Sequence, residues 1–267
     1  MDFLNTAELT APWTRWFIYG DTGSGKTEIA STFPRPLFLV PRSEMSVTTL
    51  SGRNFPYLVV TDKSSSYNPR TKMGGLTSIL DHLEAFYKKD AASFPFDTIV
   101  LESVTHYMEM VIAELTDGHK AQMDPGRYGK LANHLSNIHS RLSNMEIHTV
   151  YTALARWHED TGKGGPHIPG KTGDMLPSAC DVYAYTVAED QGSDKNGKKP
   201  LKFSLHTRTY KNYPARTRFR GMPACIENFQ FAKVQAFIDK VGTEDLGVAG
   251  ADELAEQVVP EAESQTA

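Results

Sequence analysis

Long hydrophobic runs are missing from these 267 residues: none approaches the ~20 consecutive apolar residues of a membrane-spanning helix. Cysteine is scarce, with Cys180 and Cys225 alone, too few for a disulfide framework or a thiolate zinc site. A reducing compartment follows as the expectation. The nine histidines show no metal-ligand spacing and read as surface or structural residues. Met1-Asp2-Phe3-Leu4-Asn5 lacks the basic-then-apolar layout of a secretory signal, and no internal repeat is visible. These absences point to a soluble, cytoplasmic chain, and 40% hydrophobic residues suffice for one large core.

Acidic residues are also missing where bases are dense. Lys195 to Arg220 holds nine Lys and Arg and no acid, while Thr243 to Ala267 holds seven acids and no base. The net charge of −4 hides this: 28 bases against the other 25 acids leave residues 1–242 at +3. The basic segment reads either as a solvated hairpin face or as a polyanion-binding surface moderated by the tail. The tail is Ala-, Gly-, Glu- and Val-rich with little periodicity, which predicts a flexible acidic segment over 243–267.

Against these absences one motif stands out. Gly20-Asp21-Thr22-Gly23-Ser24-Gly25-Lys26-Thr27 fits G-x-x-x-x-G-K-[ST] in full, after the strand-like Trp16-Phe17-Ile18-Tyr19 and before a helix-like segment. The glycines let successive N–H groups turn inward on an anion at a helix N-terminus. Lys26 is placed for the β- and γ-phosphates of ATP and Thr27 for Mg²⁺. Strands are expected at Pro36–Val40, Tyr57–Val60, Asp97–Glu102, Ile147–Ala153, Asp181–Ala188 and Leu201–His206, the last two joined by a turn around Asn196-Gly197. Helices are expected from the spacing of Leu76 to Phe86, of Val104 to Leu115 and of Leu131 to Leu142, with loops over Lys63–Gly75, Thr116–Gly129 and Arg156–Pro177. The order predicts an α/β domain over 14–242 with a mainly parallel sheet and a C-terminal antiparallel hairpin, after an extension at 1–13.

Three further residues sit where strands end. Glu102 closes Thr98-Ile99-Val100-Leu101, where an NTPase holds its Mg²⁺-bound water; its extra methylene over the commoner Asp moves the carboxylate by ~1.5 Å. Glu44 follows Leu37 to Val40 and is a candidate to orient or deprotonate the attacking water. Thr152 ends its strand within reach of a γ-phosphate.

The chain resembles the RecA-like P-loop ATPases of bacteriophages, the AAA-type nucleotide-binding proteins that include single-strand annealing and recombination proteins. Gly20–Thr27, Phe96–Ser103, Tyr128-Gly129-Lys130-Leu131, Ile147–Ala153, Ile168-Pro169-Gly170-Lys171 with Leu176-Pro177 and Asp181, and Tyr213–Arg218 carry the likeness, over roughly residues 14–225. The resemblance implies a RecA-like core in a homo-oligomeric filament or ring, with ATP and Mg²⁺ at subunit interfaces, in the host cytoplasm. It also implies that Arg216 and Arg218 reach a neighbour's γ-phosphate. Glu102 in place of Asp, and Glu44 without a Gly-rich neighbourhood, depart from the family pattern. Loops lining the assembly axis would present Lys120, Arg127, Lys130, Arg156, Lys163 and Lys171 to single-stranded DNA, with Tyr128, Trp157 and His158 to stack on bases.

The leading expectation is an ATP-hydrolysing, single-stranded-DNA-binding protein of phage recombination, annealing or replication. A helicase-loading or motor ATPase stays open on the same core. So does a nucleotide-gated scaffold whose tail recruits a single-strand-binding or other replication protein.

Overall fold

A computed structural model describes residues 12–170, 172–190 and 201–243. Apolar and β-branched runs form the parallel strands β1 (Arg15–Gly20), β2 (Pro36–Pro41), β3 (Tyr57–Val60), β5 (Thr98–Leu101), β6 (His148–His158) and β8 (Val182–Asp190), with the two-residue β4 (Met73–Gly74) after β3. Burial on both faces accounts for their continuous hydrophobicity. β9 (Leu201–His206) runs antiparallel to β8, and β11 (Cys225–Glu227) antiparallel to β9. The sheet order is β11-β9-β8-β1-β6-β5-β2-β3-β4, with β10 (Arg216–Thr217) paired to β8 and β7 (Lys163–Pro166) paired to β6. The expected α/β architecture, mainly parallel with antiparallel C-terminal strands, is the observed one.

The two faces are covered by different helices. On one, α2 (Leu76–Lys89), α3 (Val104–Leu115), α4 (Pro125–Ser143) and α5 (Thr172–Ala179) bury a layer that includes Phe17, Tyr19, Leu39, Tyr107, Leu135 and Tyr151. On the other, α1 (Lys26–Ser31) and α6 (Phe231–Thr243) close over Trp16, Ile18, Phe38, Val40 and Val150. The Phe33 and Phe231 rings stack there, with centroids 4.1 Å apart.

Several boundaries differ from the expectations. Thr116–Gly129 is not loop throughout: the Asp124 carboxylate accepts from the Arg127 N–H, Pro125 opens the first turn, and α4 starts there despite Gly126 and Gly129. Arg127 and Lys130 therefore stand on a helix. Arg156–Pro177 is not one long loop either. Beyond Leu154, β6 leaves the parallel sheet and pairs with β7 as far as His158↔Lys163. The glycines there permit close packing, since a Cβ on Gly164 would fall 2.1 Å from the Tyr213 ring. Pro177, a breaker by composition, lies in the last turn of α5, which ends at Ala179. Phe86 continues the spacing of Leu76, Ile79, Leu80 and Leu83 along α2 but is 41% exposed. The Asn196-Gly197 turn, Lys171, residues 1–11 and the acidic tail from Glu244 lie outside the described residues.

Candidate functional site

Chain direction gathers the site. β1, β2, β5 and β6 are parallel, so their C-terminal ends share one edge, and each contributes a residue there: Lys26 after β1, Glu44 after β2, Glu102 after β5 and Thr152 within β6. β6 lies between β1 and β5, with Gly20 opposite Leu154 and Leu101 opposite Tyr151.

The loop from Gly20 to Gly25 is shaped by its glycines. Gly25 has φ +88° immediately before α1, a left-handed conformation that residues with a Cβ adopt only at a cost. Gly20 lies so close to β8 that a Cβ would meet Thr186 Oγ1 at 2.3 Å and the Thr186 carbonyl at 2.5 Å. Ser24 and Thr186 exchange a hydroxyl hydrogen bond of 2.7 Å across that contact, tying the loop to the sheet.

Lys26 is buried, and its Nζ donates to the carbonyls of Gly20 (3.0 Å) and Asp21 (2.8 Å). Burial lowers its pKa, opposed by the negative charges of Glu102, Glu44 and Asp21. A phosphate ligand offers this ammonium stronger acceptors than two neutral carbonyls.

Glu102 is 2% exposed, and burial pushes its pKa up to about 7 against the pull of the Lys26 ammonium and of the neighbouring Thr152 and Thr27 hydroxyls. Thr27 Oγ1 donates to Oε1 at 3.2 Å, while Oε2 is buried with no hydrogen-bond partner among the described residues. A hydroxyl and an unsatisfied buried carboxylate oxygen side by side are hard oxygen donors, and they fit Mg²⁺. Thr27 and Glu102 are the residues that would hold it, Glu102 through water. Thr152 is fully buried and donates to the Leu101 carbonyl at 3.4 Å.

Glu44 follows a turn in which its N–H donates to the Pro41 carbonyl. Its Oε2 accepts from Ser103 Oγ at 3.0 Å and touches His106 Nδ1. Sequence reasoning missed Ser103 and His106; Glu102-Ser103-Val104-Thr105-His106 becomes a site segment only once β5 and α3 set it beside the turn after β2. Phe203, also missed, covers the P-loop: a Cβ on Gly25 would lie 2.5 Å from its ring.

The family model described as an AAA domain matches residues 14–219, more than half of the chain. The chain belongs to that family. This AAA domain is thus a P-loop NTPase domain, for which nucleotide and Mg²⁺ are the implied ligands. A KaiC-like protein from the hyperthermophilic archaeon Pyrococcus horikoshii is structurally similar at TM-score 0.41 and 12% identity, covering 72% of this chain and 77% of that one. No curated protein matches the chain. Among the described residues of the AAA domain no helix is long and apolar enough to cross a membrane.

The other expected site residues lie elsewhere in the AAA domain. Arg216 stands opposite Tyr183, three residues before the Thr186 that faces Gly20, so it is not beside its own P-loop. Its Nη2 donates to the carbonyls of Pro177 (2.9 Å) and Ser178 (2.7 Å). Arg218 bonds Asp181 (3.3 Å) and the Ser178 carbonyl (3.0 Å). Lys120 pairs with Asp117 at 3.7 Å, and Arg127 is held by Asp124 and the Gln122 carbonyl. Arg156, Trp157, His158 and Lys163 ride on the β6–β7 hairpin. Tyr128 packs against Gly170, where a Cβ would lie 3.1 Å from its ring, so the start of α4 and the segment before Lys171 adjoin.

Proposed function

We propose that this domain hydrolyses ATP and binds single-stranded DNA as a homo-oligomer, in phage recombination, annealing or replication. The convergence of Lys26, Thr27, Glu102, Glu44 and Thr152 at one sheet edge carries the ATPase half of this reading. In it, Lys26 leaves the loop carbonyls for the β- and γ-phosphate oxygens, and Glu44 orients and deprotonates the attacking water. Thr152 donates towards the γ-phosphate. Mg²⁺, when bound, neutralises charge on the phosphates. Arg216 and Arg218, away from their own P-loop, are assigned to a neighbour's site, following the phage RecA-like resemblance.

The DNA half draws on two exposed aromatics beside bases. Trp157 is 44% exposed next to Arg156 and stands across the hairpin from Gly164, the neighbour of Lys163, and Tyr128 is 40% exposed between Arg127 and Lys130. The Trp157 ring continues inward to Tyr213 (5.9 Å between centroids) and from there to Tyr185 (4.1 Å, parallel). Such a column supports an outer ring on which a base can stack, a contact worth ~1–3 kcal/mol per base.

The test is ATP turnover with and without single-stranded oligonucleotides, together with fluorescence anisotropy over a salt series. DNA-stimulated turnover and sequence-tolerant binding that strengthens with ATP are expected. Neutralising Lys163 and Lys171 should flatten the slope of log affinity against log salt by roughly one unit per lost phosphate contact. Absence of binding at low salt with ATP and Mg²⁺ present would reject the DNA half and favour the nucleotide-gated scaffold.

A further inference from the structure

Glu44 is not a free carboxylate on a loop. Its Oε2 has two donors, both from the segment that follows β5: the Ser103 hydroxyl at 3.0 Å and His106 Nδ1 in direct contact. Ser103 Oγ and His106 Nδ1 lie 2.9 Å apart, so the three groups form a closed triangle. An ionised carboxylate only accepts hydrogen bonds, so Nδ1 carries its proton towards Glu44. Oε1 has no hydrogen-bond partner among the described residues, and the side chain as a whole is 25% exposed. One oxygen is therefore clamped and the other has no protein partner there.

The clamp is built on rigid parts. Ser103 is the N-cap residue of α3 and 1% exposed, and His106 stands one turn further along the same helix. Glu44 itself is pinned by the backbone bond to Pro41. We propose that His106, with Ser103, is a positioning residue for Glu44: it fixes the carboxylate rotamer so that Oε1 faces the water that attacks ATP. This rests on the reading of Glu44 as the water-orienting group. In this role His106 acts through Glu44. A base held by two donors from the start of one helix stays near productive geometry, whereas a displacement of ~1 Å in a reacting group can cost on the order of 100-fold in rate.

Turnover and ATP affinity of the full chain are measured in His106→Ala, His106→Asn, His106→Gln, Glu44→Gln and the double variant Glu44→Gln with His106→Ala. His106→Ala should lower kcat ~10- to 100-fold with ATP affinity changed less than about twofold. Asn places an amide N–H where Nδ1 stands and should restore kcat to within about threefold of the parent. Gln carries its amide one bond further out and should not. In the Glu44→Gln background, removing His106 should cost less than about twofold more, since the group it positions has lost its role. Wild-type kcat in His106→Ala, failure of Asn to rescue, or the full His106→Ala loss repeated on top of Glu44→Gln would each overturn the positioning role while leaving Glu44 in place. Wild-type turnover in Glu44→Gln would instead remove the underlying reading of Glu44, and the positioning role with it.

Discussion

Substituting Gly25 by Ala tests whether the P-loop owes its shape to the lid above it as well as to its own backbone. Two costs combine at this position. The left-handed backbone at φ +88° costs a residue with a Cβ about 1–2 kcal/mol. The new methyl would also meet Phe203 Cδ1 at 2.5 Å and Cγ at 2.8 Å, an overpacking worth ~1–3 kcal/mol if the ring has to move. The single substitution should therefore destabilise the domain by about 3 kcal/mol, read from urea denaturation. Nucleotide affinity should fall with it, because Lys26 and Thr27 follow directly in the chain. Removing the ring with Phe203→Ala should leave only the backbone term, so that Gly25→Ala in that background costs about 1–2 kcal/mol. The coupling in the double-mutant cycle is then ~1–3 kcal/mol. A change below ~0.5 kcal/mol for Gly25→Ala, or strict additivity of the two substitutions, would refute the argument.

Three other outcomes follow from the geometry. Lys26→Ala should abolish tight MgATP binding while the unliganded fold survives, since Nζ bonds only loop carbonyls; unchanged affinity would contradict the P-loop assignment. Burial holds His148 at a pKa of about 4, its Nδ1 accepting from the Thr14 N–H, so the unfolded chain binds more protons below pH 6.5 and stability falls from there down to about pH 4, by up to ~3 kcal/mol for this group. His148→Asn, which keeps an acceptor there without a titrating ring, should flatten that part of the pH–stability curve; an unaltered curve would remove His148 from the account. Finally, subunits lacking Arg216 and Arg218, mixed with subunits carrying Lys26→Ala, should recover part of the turnover if the arginines serve a neighbour's site; a co-assembled but inactive mixture would confine them to tethering Pro177, Ser178 and Asp181.

What could be read from the sequence depended on whether the signal was local. The buried parallel strands show as unbroken apolar runs, and the P-loop as a contiguous motif, so Lys26, Thr27 and Glu102 can be singled out as candidates from the sequence alone. The β6–β7 hairpin was hidden because its second strand, Lys163-Gly164-Gly165-Pro166, has a loop's composition; Gly164 leaves room there for the Tyr213 ring. The start of α4 was obscured by Gly126 and Gly129, although the Asp124-Pro125 cap was present in the sequence. α6 went unnoticed even though Phe231, Val234, Phe237 and Ile238 follow helical spacing; their partners Trp16 and Phe33 lie some 200 residues earlier. His106 belongs to the same class, meaningless until the turn after β2 arrives beside it.

The two ends of the sheet constrain how copies of this domain can meet. β4 has two residues and β11 has three, so the described sheet offers almost no run of unpaired backbone groups at either edge. Among the described residues, growth by strand addition, which fuses subunits through backbone hydrogen bonds, has little to start from. In the proposed homo-oligomer the joints between copies would then be made of side chains and of whatever is wedged between them. Contacts of that kind break one at a time and depend on the occupant of the joint, so such an assembly could form and come apart with its nucleotide.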